Sequence, residues 1–267
     1  MILFFIVLAL SISYINTVDM DKWELFDTNA FYLSIRQKDM VKLLANDLAT
    51  GGYAIHVWTE ANPQWSSISG RCMIIDLDAN FYYCMNSVNT LFMRERTDPA
   101  AQWISTTTVT DIKVGVNDDV WFTTDIGTTN PITDGYTIKK LIPAPVGFID
   151  FPEGATKVGP DHDGKLWAVD FNLQIKQWDG GSWITHSGDA LDIVVGDNDL
   201  PFILGTTGST EGNEILRWDN SFGLQPVEGI EGRTITLDDR NNLYVITDNN
   251  NVYRPKGVMF DLCPSKF

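Results

Sequence analysis

One phrase recurs along this 267-residue chain, and its period constrains the fold more than any other feature. It is an alternating strand ending in Val-Gly, then an Asp/Asn turn, then a second strand carrying an aromatic residue. The clearest copies are DIKVGVNDDVWFTT (111–124), TKVGPDHDGKLWAV (156–169) and LDIVVGDNDLPFIL (191–204). Weaker copies read MIIDLDANFYYCM (73–85) and TITLDDRNNLYVIT (234–247), and the least regular reads VKLLANDLAT (41–50). Aligned on the glycine column, Leu44, Asp76, Gly115, Gly159, Gly196 and Leu237 recur at intervals of about 40 residues, the size of a four-stranded propeller blade.

Each copy runs on to a second signature: a strand with Trp, a turn, and another aromatic. IKQWDGGSW (175–183) is the model case, ILRWDNSF (215–222) and IHVWTEANPQW (55–65) match well, and LFMRERTDPAAQW (91–103) keeps only its last Trp. IKKLIPAPVGF (138–148) has lost both. Asp, Asn and Gly tolerate the backbone of tight hairpins, so each unit reads as four short antiparallel strands. Dividing Trp23 to Phe267 among six units gives about 41 residues each, in step with the repeat. The sequence therefore predicts an all-β, six-bladed β-propeller of four-stranded antiparallel blades. The last unit lacks its terminal Trp strand, which DKWELF (21–26) can supply, so the ring is expected to close through an N-terminal strand. Between Thr28 and Thr50 the apolar spacing fits helix and strand equally well.

Charge and leader narrow the setting. Lys plus Arg number 19 against 35 for Asp plus Glu, a net charge of −16 that repels nucleic acid and anionic lipid. The only strongly apolar stretch, Met1–Leu10 running on to Ile15, is shorter than the roughly 20 residues of a membrane span. With Ser11 and Ser13 two apart it reads as a signal peptide over residues 1–13, with 17 as the alternative boundary, leaving one propeller domain over 18–267. No Lys or Arg precedes the apolar run, and a retained amphiphilic anchor is the competing reading. Export permits disulfides. Cys72 and Cys84 flank a turn-centred run and could face each other across a hairpin, leaving Cys263 free or paired with a second chain. No Asn-x-Ser/Thr sequon occurs.

The paired signatures resemble the tectonin repeat, the unit of tectonin-like lectins, which include fish-egg lectins and a horseshoe-crab lectin. The resemblance covers residues 23–256 and is best over 104–222. It implies a six-bladed propeller that recognises carbohydrate or microbial envelope glycans outside the cell, without catalysis or cofactor. Missing Trp pairs in the third and sixth units, and the loss of Gly at 44, 76 and 237, imply fewer than six working sites.

The residues point the same way unaided. A sugar offers a C–H face to an aromatic ring and hydroxyls to fixed polar groups, a combination that the Trp-Asp turns provide. The candidate ligand residues are Trp178, Asp179 and Trp183, then Trp218 and Asp219, then Trp58, Glu60 and Trp65. Trp121 and Trp167 read as packing residues, and packing is also the competing role for Trp178, Trp183 and Trp218. Weak repeated sites on one ring would act by avidity. The acidic turns read as hairpin turns; only Asp161 and Asp163 in DHDGKLW (161–167) give a calcium site any force. His56, His162 and His186 are scattered and lack metal-ligand spacing. Two rival classes remain. One is a structural or assembly propeller that binds surface or matrix proteins. The other is a lactonase-like or metal-assisted hydrolase using Asp76, Asp111 and Asp192 around a central channel.

Overall fold

Short runs of β-branched and aromatic residues between Asp, Asn and Gly turns fold here as strands. The computed structural model describes residues 18–256, apart from 37–38, 116, 126–134, 143–146, 163–164 and 210–211. The expected leader, Asp163 and Cys263 lie outside the described residues. Strand β1 (Trp23–Asp27) precedes a sheet of β2 (Ala30–Arg36), β3 (Asp39–Ala49), β4 (Gly52–Thr59) and β5 (Asn62–Cys72). A second sheet holds β6 (Ile74–Leu77), β7 (Phe81–Met85), β8 (Thr90–Glu95) and β9 (Ile104–Thr108). A third holds β10 (Asp111–Val114), β11 (Val120–Thr124), β12 (Tyr136–Ile142) and β13 (Gly147–Ala155). Seven strands then share one sheet: β14 (Lys157–Pro160), β15 (Leu166–Val169), β16 (Gln174–Trp178), β17 (Trp183–Val195), β18 (Pro201–Ser209), β19 (Gly212–Asp219) and β20 (Gly223–Gly232). The last sheet has β21 (Thr234–Leu237), β22 (Leu243–Ile246), β23 (Val252–Pro255) and, along its outer side, β1.

The fold is thus an all-β propeller with four-stranded antiparallel blades. Where six separate sheets were expected, four stand alone, and the two units between residues 156 and 232 are fused through β17. The reason is the length and bend of that 13-residue strand. Its first half pairs with β16, from Trp183↔Trp178 to Asp189↔Gln174, and its second half with β18, from Ala190↔Gly205 to Val195↔Pro201. Gly188, at φ +106, turns the chain between the two halves.

Within the ambiguous segment 28–50 the structure places strands at Ala30–Arg36 and Asp39–Ala49, and they correct the phase of the first repeat. VKLLANDLAT belongs to β3, the second strand of its sheet, while the innermost strand is β2. Six apolar clusters fill the spaces between neighbouring units. One of them packs Ala30, Leu33 and Ile35 of the first sheet against Tyr244, Ile246 and Val252 of the last. The glycine column has the expected cause: a Cβ on Gly159 would press on Val195 and Ile193 of the next innermost strand.

A second device ties the perimeter. Trp23, Trp103 and Trp183 each donate the indole N–H to a carbonyl on the preceding unit's outer strand, Glu228 at 3.1 Å, Ser69 at 2.6 Å and Pro152 at 2.7 Å respectively. In all three cases the next residue, Gly229, Gly70 or Glu153, has positive φ. At Gly188 the matching neighbour is Leu224.

Cys72 and Cys84 are bridged, with Cα atoms 5.5 Å apart, but not across one hairpin. Cys72 ends β5 and Cys84 lies in β7, so the bridge joins the first sheet to the second. Closing a loop of this length restricts the unfolded chain by about 3 kcal/mol. Replacing both cysteines with Ser is expected to lower the unfolding free energy by about 2–3 kcal/mol in urea titrations; an unchanged midpoint would contradict this role.

Candidate functional site

The innermost strands converge on a polar cavity of about 60 Å³ lined by Tyr32, Ser34, Asp76, Lys113 and Thr236, among others. That is room for a few waters and well below the roughly 300–1,000 Å³ of small-molecule sites. The three channel carboxylates anticipated from sequence are all near this centre, and each is engaged. Asp76 accepts from the Ser34 hydroxyl of the first sheet, the Val114 amide of the third at 2.7 Å and its neighbour Leu77 at 2.9 Å. Asp111 accepts from Lys157 at 2.9 Å and faces the Val158 amide. Asp192 pairs with Lys113 at 3.6 Å, and Lys113 donates to the Tyr32 hydroxyl at 3.2 Å. The partners come from different sheets, so the charges fasten one unit to another.

Burial pushes the Asp76 and Asp111 carboxyls above the ordinary range; the Ser34 hydroxyl pulls Asp76 back, and the Lys157 and Lys113 ammonium groups pull Asp111 back. Burial is the largest influence on Lys113 and Lys157 and opposes their charge, yet the surrounding acidic groups together, led by Asp192 for Lys113 and Asp111 for Lys157, hold both above their ordinary value. Tyr32 is pushed up to about 12, chiefly by burial.

The perimeter tryptophans also make packing contacts. Trp178 and Trp183 face each other across β16 and β17 with ring centroids 5.6 Å apart, and Trp178 also meets Phe151 of the preceding sheet at 6.4 Å. Trp183 gives its N–H to the Pro152 carbonyl, which ties two units together. Trp218 packs on His186 at 4.5 Å and on buried Trp167 at 5.5 Å. All three remain partly exposed. Asp179 accepts from the Gly181 and Ser182 amides, which hold its carboxyl below the usual range. Asp219 accepts from the Ser221 and Phe222 amides. Both aspartates close their turns through Oδ1, and the Ser182 hydroxyl also faces Oδ2 of Asp179 at 3.5 Å.

Trp58 and Trp65 are half-buried on β4 and β5; Lys42 sits 4.3 Å over the Trp65 ring, and Glu60 is exposed in the turn between them. Trp121 and Trp167 are buried, as packing residues should be. Among the described residues no group of three His, Cys, Asp or Glu side chains is placed to hold a metal ion, and Asp161 is buried. Sequence reading missed Phe222, 77% exposed beside Trp218 and Asp219; its signal was the aromatic closing ILRWDNSF.

No family model matches the chain, and no curated protein matches it. Solved structures do. A streptogramin B lyase is similar at 12% identity and TM-score 0.55, over 88% of this chain and 98% of that one. A gluconolactonase from Xanthomonas campestris is similar at 12% identity and TM-score 0.58, over 90% of each chain. The β-propeller domain of Cps50 (Swd1) from Myceliophteria thermophila is similar at 9% identity and TM-score 0.56, over 85% and 83%. At such identities the likeness is one of fold: these neighbours are propellers with varied functions.

The central charges make a pH prediction. A carboxyl whose value is raised by folding contributes its stabilisation fully below the ordinary 3.8 and loses it as pH rises through the raised value. Lys157 contributes fully below 10.5 and loses its part as pH rises through its folded value. Lys157→Met strands Asp111 and should cost about 3 kcal/mol at pH 7. At pH 4 the carboxyl, pushed higher still, takes up a proton and the deficit shrinks. Urea titration at both pH values checks this; equal deficits would show that Asp111 is not the group left uncompensated.

Proposed function

We propose that the protein is a secreted, non-catalytic propeller that binds glycans on cell or microbial surfaces through several weak contacts. The observation that carries this reading is the contrast between centre and perimeter. The central carboxylates are occupied in joining sheets around a cavity too small for a substrate, whereas polar-flanked aromatic rings lie partly open at the perimeter turns. Trp178 beside Asp179, and Trp218 with Asp219 and Phe222, supply the apolar face and the adjacent polar oxygen that a sugar ring uses. The Cys72–Cys84 bridge suits an oxidising, extracellular setting.

The same proposal takes the seven-stranded sheet as two blades that share β17, giving six, and takes β1 as the closing strand. The support is the antiparallel pairing of β1 with β23, Trp23↔Pro255 through Asp27↔Val252, and the fully buried Trp23 side chain among Val194, Phe202 and Ile235. If β1 closes the ring, Trp23→Ala should cost about 3–5 kcal/mol. Leu25→Ala, at a position half exposed on the same strand, should change little. A Trp23→Ala protein melting at the wild-type temperature overturns the closure.

A glycan array tests the function. Wild type should give multivalent hits, Trp178→Ala and Trp218→Ala should weaken them, and titration with a free monosaccharide should show only millimolar affinity. A micromolar monosaccharide site would remove the avidity reading, and an array without hits would remove glycan binding altogether.

A further inference from the structure

The first and second sheets flank an open cleft of about 550 Å³, within the roughly 300–1,000 Å³ of small-molecule sites and far larger than the central cavity. We propose that this cleft is a binding site for one uncharged oligosaccharide arm, held between the rings of Trp103 and Phe92 and the rim groups Thr50 and Asn86. The proposal rests on the glycan-binding reading, and it places a site where the Trp-Asp turns do not.

The lining decides the ligand class. Trp103, Phe92 and Ile68 form the apolar wall. The Trp103 N–H is fixed to the Ser69 carbonyl at 2.6 Å and the Arg94 guanidinium lies 6.0 Å from its ring centroid, so the indole is held rigidly and offers the cleft the part of its ring that Arg94 leaves uncovered. Gly70, at φ +119, lets the ring lie directly on the backbone. The charged group in the lining, Arg71, is neutralised by Asp47, with contacts of 2.9 Å to its carboxylate and 2.8 Å to its carbonyl. An anionic ligand would have to displace that pair, so a neutral one is favoured.

Hydroxyl partners are at hand on the rim. Asn86 spends its Oδ1 on the Val88 and Thr90 amides, at 3.1 and 2.9 Å, which leaves its NH₂ to donate. Thr50 brings a hydroxyl from the β3–β4 turn. Cys84 forms part of the floor, and its bridge to Cys72 fixes β5 relative to β7. A site whose walls are covalently fixed loses less freedom when it binds.

The experiment is an array carrying neutral glycans together with sialylated and sulfated forms of the same glycans. It is run on the full chain and on Thr50→Val, Asn86→Asp and the double variant. Thr50→Val keeps the shape and removes the hydroxyl, whereas Asn86→Asp keeps the Oδ1 that closes the turn and removes the donor. Trp178→Ala and Trp218→Ala are run in parallel, and melting temperatures confirm folding. The expected result is a preference for neutral glycans that falls about tenfold in the double variant, as two lost hydrogen bonds predict. Neutral hits that persist at full strength in both single variants and the double variant, while disappearing in Trp178→Ala or Trp218→Ala, overturn the cleft and leave the glycan reading standing. Selective binding of charged glycans also overturns it. A wild-type protein that binds no glycan overturns both.

Discussion

A four-stranded sheet with apolar side chains on both faces must be covered on both, and that requirement governs this molecule. Trp121, Trp167, Phe122, Leu33, Leu43 and Ile55 are all essentially inaccessible, and they belong to clusters that each span two neighbouring units. Burying an aliphatic or aromatic side chain of this size is worth about 1.5–3 kcal/mol, so an uncovered terminal sheet would be untenable. A row of such sheets can avoid an uncovered end by curving until the last meets the first. The cluster of Leu33 and Ile35 with Tyr244 and Ile246 is that meeting.

Curvature has a cost at the hub, where the innermost strands crowd together and little apolar volume can fit. Glycine at 159 is one answer. Charge is the other: Asp76, Asp111, Asp192, Lys113 and Lys157 occupy the narrow end and reach across sheets. Buried ion pairs are weak contributors to net stability, but a mispaired arrangement is strongly disfavoured, so such a hub acts mainly to specify which sheet sits beside which. A centre committed to that task has little room or free charge left for anything else.

The fold was legible because its signals are local. The Val-Gly strand, the Asx turn and the Trp-Asp turn each lie within a few residues, and the Asp179 and Asp219 carboxylates close the very turns that their positions announce. What escaped reading depends on distant partners. Lys113 gives no hint that Asp192 will face it, and Cys72 and Cys84 flank a turn although their bridge joins two sheets. The first repeat was set one strand late because VKLLANDLAT imitates an innermost strand, while the real one, AFYLSIR in β2, carries no glycine. The bond of Trp183 to the Pro152 carbonyl was hidden for the same reason: it crosses a sheet boundary that spacing alone does not reveal.

That bond also explains why aromatic columns in such a chain can erode unevenly. Three units keep the indole lock and one replaces it with Leu224, so the lock is useful but not obligatory at every junction. Where a lock tryptophan is filled in by a second ring, as Trp183 is by Trp178, the junction is packed. Trp103 has a different neighbour: the register position that Trp178 holds in β16 belongs in β8 to Arg94, whose guanidinium lies 6.0 Å from the Trp103 ring centroid and reaches the Pro99 carbonyl at 3.1 Å. The same junction carries the disulfide. A covalent tie lets a junction tolerate looser side-chain packing, since the separation of its sheets no longer depends on packing alone. Open space beside a rigid aromatic is therefore most easily kept at the first junction, where the chain has placed both.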